Sequence, residues 1–223
     1  MAIARAFMME RGHMAERKRR TQAERSHETT SSLLEATLAC IKDKGLINTS
    51  TTEVARRAKV SRGALLHHFP TKEELMAEAL RSLLLRETEE AERAANSVVE
   101  DSLTVDQFLD FVWERFSGDL YMVSMEFVNA ARTDHKIKAA LVPVGQDFNE
   151  AYGRIWEKID GPSDDPVVQM RQKVEITAIM CLARGMATQT IWRDDPDLFR
   201  ATINYWKGLL KLSRKHQNSE RAS

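Results

Sequence analysis

Proline and glycine are scarce in this chain, five and nine among 223 residues, and only two cysteines are present. Few breakers and few β-branched runs favour helices with short connections. Cys40 and Cys181 lie far apart, each inside an apolar helical pattern. That placement argues against a disulfide framework and predicts two buried free thiols in a reducing cytoplasm. No run of about eighteen apolar residues occurs, which argues against a membrane span. The first residues have no sustained apolar core ahead of a small-residue cleavage site, so no secretory signal is read there. Also missing are a Walker loop, a nucleotide-binding glycine fingerprint, a Ser/His/Asp arrangement and any Cys or His pair at ligand spacing. No enzyme activity, cofactor or metal is expected.

What is present is charge of both signs, unevenly placed. The formal net charge is zero, yet residues 1–86 carry sixteen basic against ten acidic side chains, and the remainder is acidic by the same margin. A basic first third on an acidic body points to a polyanion met by the first part alone.

Helix starts are well marked. Ser50-Thr51-Thr52-Glu53, Thr71-Lys72-Glu73-Glu74 and Thr104-Val105-Asp106-Gln107 each have the spacing of a capping box. Asp165-Pro166 and Asp195-Pro196 set an acceptor at the cap and proline at the first helical position. Leu33, Leu34, Thr37, Leu38 and Ile41 recur at helical spacing and predict a first long helix stopped near Gly45. Two short helices follow, roughly 51–58 and 62–69, then one from Thr71 to about Asn96. Further helices fit 104–117, 119–133, 135–159, 166–193 and 196–215, with Pro143 and Gly145 expected to bend or break the one at 135–159. The chain reads as all-α, with about nine helices. Its organisation reads as a flexible basic arm (1–20), a small helical head (21–70), a larger helical domain (71–215) and a flexible tail (216–223).

Two short helices separated by about three residues, with Ala55 and Val60 inward, make a helix–turn–helix. At about 100° per residue, Leu65 and Phe69 of the second helix fall together toward a core, with Leu66 beside them. Gly63, Ala64 and His67 fall opposite, a face with little bulk near its start that admits close approach to DNA. Ala64 suits a thymine methyl and His67 a base edge or phosphate. Ser61 and Arg62 stand at the helix start, where major-groove contacts begin. His67 and His68 diverge by one helical step and do not converge on a metal; His68 is divided between groove and scaffold.

The stretch STTEVARRAKVSRGALLHHFPTKEEL resembles the DNA-binding signature of the TetR (tetracycline-repressor-like) transcriptional regulators, most specifically from about Leu33 to Leu80. The resemblance implies a three-helix DNA-binding head, a variable all-helical ligand-sensing domain and a homodimer formed largely through the last two helices. By position it implies phosphate contacts at Thr51 and Thr52, a recognition helix carrying Ser61, Arg62, Gly63, Ala64, His67 and His68, and a phosphate-binding lysine at Lys72. A lysine at a helix N-terminus is independently a good anion site. Two positions depart from the pattern. Leu66 stands where a phosphate-reaching tyrosine is common, and Lys59 replaces the usual turn glycine. In a left-handed conformation Lys59 costs on the order of 1 kcal/mol.

Beyond the head, residues 119–133 are unusually apolar. Phe108, Phe111, Met122, Met125 and Met180 are candidates for a pocket lining, with Glu126 and Asn129 as polar handles; ordinary core packing and a solvent stripe are the bland alternatives. Arg17-Lys18-Arg19-Arg20, with Arg25, suits a DNA backbone or minor groove as well as a solvated tail. The last helix is apolar over more than half its circumference, which requires a partner inside the domain and another outside it. A dimer face through Ala178, Cys181, Gly185, Phe199, Ile203, Trp206 and Leu210 follows. The expected function is a cytoplasmic homodimeric regulator, a repressor on a palindromic double-stranded DNA operator, released by a small-molecule effector. A second reading keeps the DNA-binding head and replaces the effector with a protein partner, which needs an exposed apolar patch in place of an enclosed cavity.

Overall fold

A computed structural model describes residues 21–221, with side chains to residue 214. The basic run Arg17–Arg20 and the rest of the arm lie outside the described residues. The described residues form nine helices and no strand: α1 Gln22–Asn48, α2 Thr51–Arg57, α3 Arg62–His68, α4 Lys72–Val99, α5 Val105–Phe116, α6 Asp119–Ala131, α7 His135–Asp160, α8 Pro166–Gln189 and α9 Pro196–Arg221.

The capping residues act as their types require. Ser50, Ser61, Thr71 and Thr104 each accept from the backbone N–H three residues on, satisfying a donor that has no partner within the helix. At Thr104 the box closes reciprocally through Gln107. At Ser50 it does not: the Glu53 carboxylate turns to Arg56 and Lys44, at 2.8 and 3.2 Å. These partners, the Arg56 hydrogen bond foremost, hold the Glu53 pKa down at about 2. An unexpected box, Thr21 with Glu24, starts α1 well before its first apolar pair. Pro143 does not end α7, which continues from His135 to Asp160. The last helix runs on to Arg221, beyond the expected end near residue 215.

Two cores lie along α1 and α4. Leu33, Cys40, Val54, Leu65, Phe69 and Leu75 fill the head, while Ile41, Leu46, Met76, Leu80, Phe108 and Trp156 belong to the second core. Leu75 and Met76 are one residue apart and so face different cores, about 100° around the same helix. The head is therefore fastened to the first turns of α4 and does not hang on a linker.

Gly45 breaks α1 sharply, at φ 79° and ψ 162°. There the Leu46 N–H donates to Glu126 Oε2 of α6 at 2.8 Å, and a Cβ on Gly45 would lie 2.9 Å from the same oxygen. The glycine thus lets a carboxylate from the larger domain cap the first helix of the head. Bridges from α5 hold the last helix: Lys207 to Asp110 and Lys211 to Asp106, each at 2.5 Å. Trp113 packs on Phe199 with ring centroids 5.6 Å apart.

Candidate nucleic-acid interface and cavity

Leu65 is fully buried among residues of α1, α2 and α4, which fixes the rotation of α3. Ser61, Arg62, Gly63 and His67 are then exposed, and Ala64 is half-buried. Ser61 also accepts from the Ala64 N–H at 3.1 Å, so its hydroxyl caps the helix as well as standing at its outer end. Thr52 is exposed, Thr51 half-buried, and Lys72 half-buried at the first position of α4. Lys59 takes the left-handed conformation, φ 58°, that the missing glycine foretold. The helices that carry Thr51, Thr52, the outer face of α3 and Lys72 pack on one shared core.

One residue departs from the helical-wheel expectation, and another, divided between groove and scaffold, takes one of its two places. Leu66 does not join the core; it is 42% exposed, because Leu65 and Phe69 already close the space beneath α3. His68 leans on the scaffold. Its Nδ1 lies 3.3 Å from Thr30 Oγ1 of α1, and its ring meets His67 edge to face. The unforeseen N-terminal part of α1 supplies that partner.

A cavity of about 490 Å³ opens in the larger domain between α4, the end of α5, α6, α7 and α8. Of the proposed lining residues only Met125 reaches it. Phe108 and Met180 are buried in the packed core, Phe111 stacks on Phe108 at 6.1 Å, and Met122 packs against the same core. Glu126 is taken by the Leu46 amide, and Asn129 faces solvent. The cavity wall is instead Leu84, Phe116, Tyr121, Leu141 and Phe148, with Arg184 as its one charged residue. Arg184 is the one charged residue between Glu175 and Arg193, a signal that was available in the sequence.

The outer faces of α8 and α9 also differ from expectation. Phe199, Ile203 and Leu210 are buried within their own chain, and Trp206 packs against the core. Residues one helical step away are exposed instead: Leu198, Tyr205, Leu209 and Leu212, with Val167, Met170 and Val174 on α8. Cys181 and Gly185 are exposed and Ala178 half-buried on that side, so of the two thiols only Cys40 is buried. An amphipathic pattern this wide has two apolar faces, and the wheel alone does not say which meets the chain's own core.

Residues 33–79 match the family described as bacterial regulatory proteins, tetR family. Over 190 residues the chain is 29% identical to the HTH-type transcriptional regulator CymR of Pseudomonas putida, covering 84% of this chain and 91% of that one. Its fold is similar to that of a Mesorhizobium loti TetR-family protein, with TM-score 0.65 at 15% identity over 84% and 98% of the two chains. It is also similar to the multidrug binding protein EbrR, whose crystals contain imidazole, with TM-score 0.59 at 18% identity over 79% and 93%.

Proposed function

The chain belongs to the tetR family of bacterial regulatory proteins, and on that premise we propose that it is a cytoplasmic homodimeric repressor, released from a palindromic operator by a small molecule. The observation that carries the reading is the attitude of α3, with Leu65 fully buried and Arg62, Gly63 and His67 outward. Arg62 serves base edges, and Gly63 admits close approach of the backbone. Thr51, Thr52 and Lys72 serve phosphates, fixing register without reading sequence. His68, engaged with Thr30, orients the helix and leaves the groove to His67.

A second copy covers the exposed apolar face of α8 and α9. Two heads related by a twofold axis read half-sites about 34–36 Å apart or a multiple of that. The cavity supports a small-molecule effector over a protein partner: it is lined mostly by apolar side chains with a few polar groups, the usual composition of a ligand site. An effector releases the operator by binding one dimer arrangement better than the other. Selection of bound sites from random DNA tests the reading. The expected product is one enriched inverted repeat, and enrichment of an unrepeated motif, or of nothing, rejects it.

A further inference from the structure

Some of the polar groups that line the cavity are already engaged within the chain. On the α6 wall the Tyr121 hydroxyl pairs with Thr188, and the Ser124 hydroxyl donates to the Leu120 carbonyl at 2.7 Å. The lining also includes Arg184, Asn149 and Gln146. Arg184 is the sole charged residue in the lining, and among the described residues no carboxylate pairs with it. Its guanidinium makes one long contact, Nη2 to Asn149 Oδ1 at 3.4 Å, and lies over the Phe116 ring at 5.8 Å. The rest of the wall is aliphatic or aromatic, with Phe116, Phe148 and Tyr121 presenting rings.

We propose that the cavity takes an amphipathic monoanion, an aromatic or similarly compact apolar carboxylate whose head group pairs with Arg184. This rests on the reading of the cavity as the effector site. A guanidinium presents a planar fork that matches a carboxylate with two parallel hydrogen bonds. Held at the edge of an apolar cavity it gains more from that partner than it would in water. The Asn149 and Gln146 amides provide further donors for the same head group. With the polar groups of α6 engaged internally, the remaining wall has little to offer a second polar end of the ligand. A cationic ligand meets repulsion from Arg184 and no carboxylate to compensate.

The test is titration calorimetry of the full chain with three probes of one shape: 4-phenylbutyrate, its amide and 4-phenylbutylamine. The acid is expected to bind about tenfold or more tighter than the amide, as charge-assisted hydrogen bonds exceed neutral ones, and the amine is expected not to bind. Arg184→Gln should bring the acid down to the amide's affinity and leave the amide unchanged, while Arg184→Lys should fall between. Equal binding of acid and amide, tighter binding of the amine, or an acid affinity untouched in Arg184→Gln would overturn the proposal. Gly145 lines the cavity with open space where a Cβ would stand, so Gly145→Phe is designed to fill it. Val128→Trp at the exposed rim does the same if the first variant folds poorly. If the acid shows no advantage but a probe binds and these variants remove it, the ligand class is wrong and the effector site stands. If none of the three binds, the proposal fails, and neutral fragments judge the effector site separately: binding lost in Gly145→Phe retains it, and no binding rejects it as well.

Discussion

Removing the Glu126 carboxylate should weaken the joint between the head and the larger domain. The Leu46 N–H stands at the break in α1, its residue is 2% exposed, and Glu126 Oε2 is its acceptor at 2.8 Å. In Glu126→Ala that amide loses its partner while buried. An orphaned buried donor costs about 1–3 kcal/mol, and hydrogen bonds to charged groups lie in the upper part of that range. A loss of about 2 kcal/mol is expected, which for a chain of this size lowers Tm by roughly 4–8 °C. Glu126→Gln retains an acceptor of the same shape and should lose about half as much. Gly45→Ala tests the other side of the joint. Its φ of 79° with ψ of 162° suits glycine, and the added Cβ would stand 2.9 Å from the carboxylate. Strain of about 1–3 kcal/mol follows. Part of that cost is contact with Glu126, so the double variant should lose less than the two singles together. The assay is thermal melting by circular dichroism at one fixed protomer concentration, because association adds to apparent stability. A Glu126→Ala protein that melts with wild type, or a Glu126→Gln protein as weak as the alanine variant, refutes the account.

Three further outcomes are expected. Lys72→Ala should weaken DNA binding across all sequences and reduce the slope of log K against log salt by about one, measured by fluorescence anisotropy on the selected operator; an unchanged slope removes Lys72 from the phosphate contacts. Tyr205→Glu should yield folded monomers in analytical ultracentrifugation, since Tyr205 is 70% exposed, whereas Phe199→Ala should cost about 3–5 kcal/mol of stability because Phe199 is buried in its own chain. Interchanged phenotypes would return the dimer face to Phe199. Asp160 is the third: burial raises its pKa, but hydrogen bonds from Arg171 and Gln172 and the nearby Arg214 charge outweigh that and leave it lowered. A depressed carboxylate contributes stability in full above its unfolded pKa and loses it as pH falls through the folded value. Acidification from neutrality through and below the ordinary carboxylate range should therefore destabilise the α7–α8–α9 joint, followed by fluorescence of the adjacent Trp156. Asp160→Asn should be weaker at neutral pH by roughly 3 kcal/mol and less sensitive to acid; an acid response equal to wild type contradicts the assignment.

The all-helical class, the short pair of helices and their caps were legible because they depend on neighbours three or four residues apart. Ser61, Arg62, Leu65 and Phe69 took their expected attitudes for that reason: one helical turn with two large apolar residues has one way to sit on a core. The start of α1 was less legible. Residues 21–28 are exposed and carry no apolar period, and only Thr21 with Glu24 marks them.

The larger domain divided differently. Its composition and period determined that α9 is apolar on more than one side, and that a cavity has material to line it. Which of Phe199 and Tyr205 turns inward, and whether Met180 or Leu84 meets the cavity, was decided by how α5, α7 and α8 cross. So was the partnership of Glu126 with Leu46, eighty residues away in sequence. Local spacing specifies which residues share a face. Only packing decides what that face meets, because each side chain competes with several others for one neighbour and the winner is set by the shape of the whole interior.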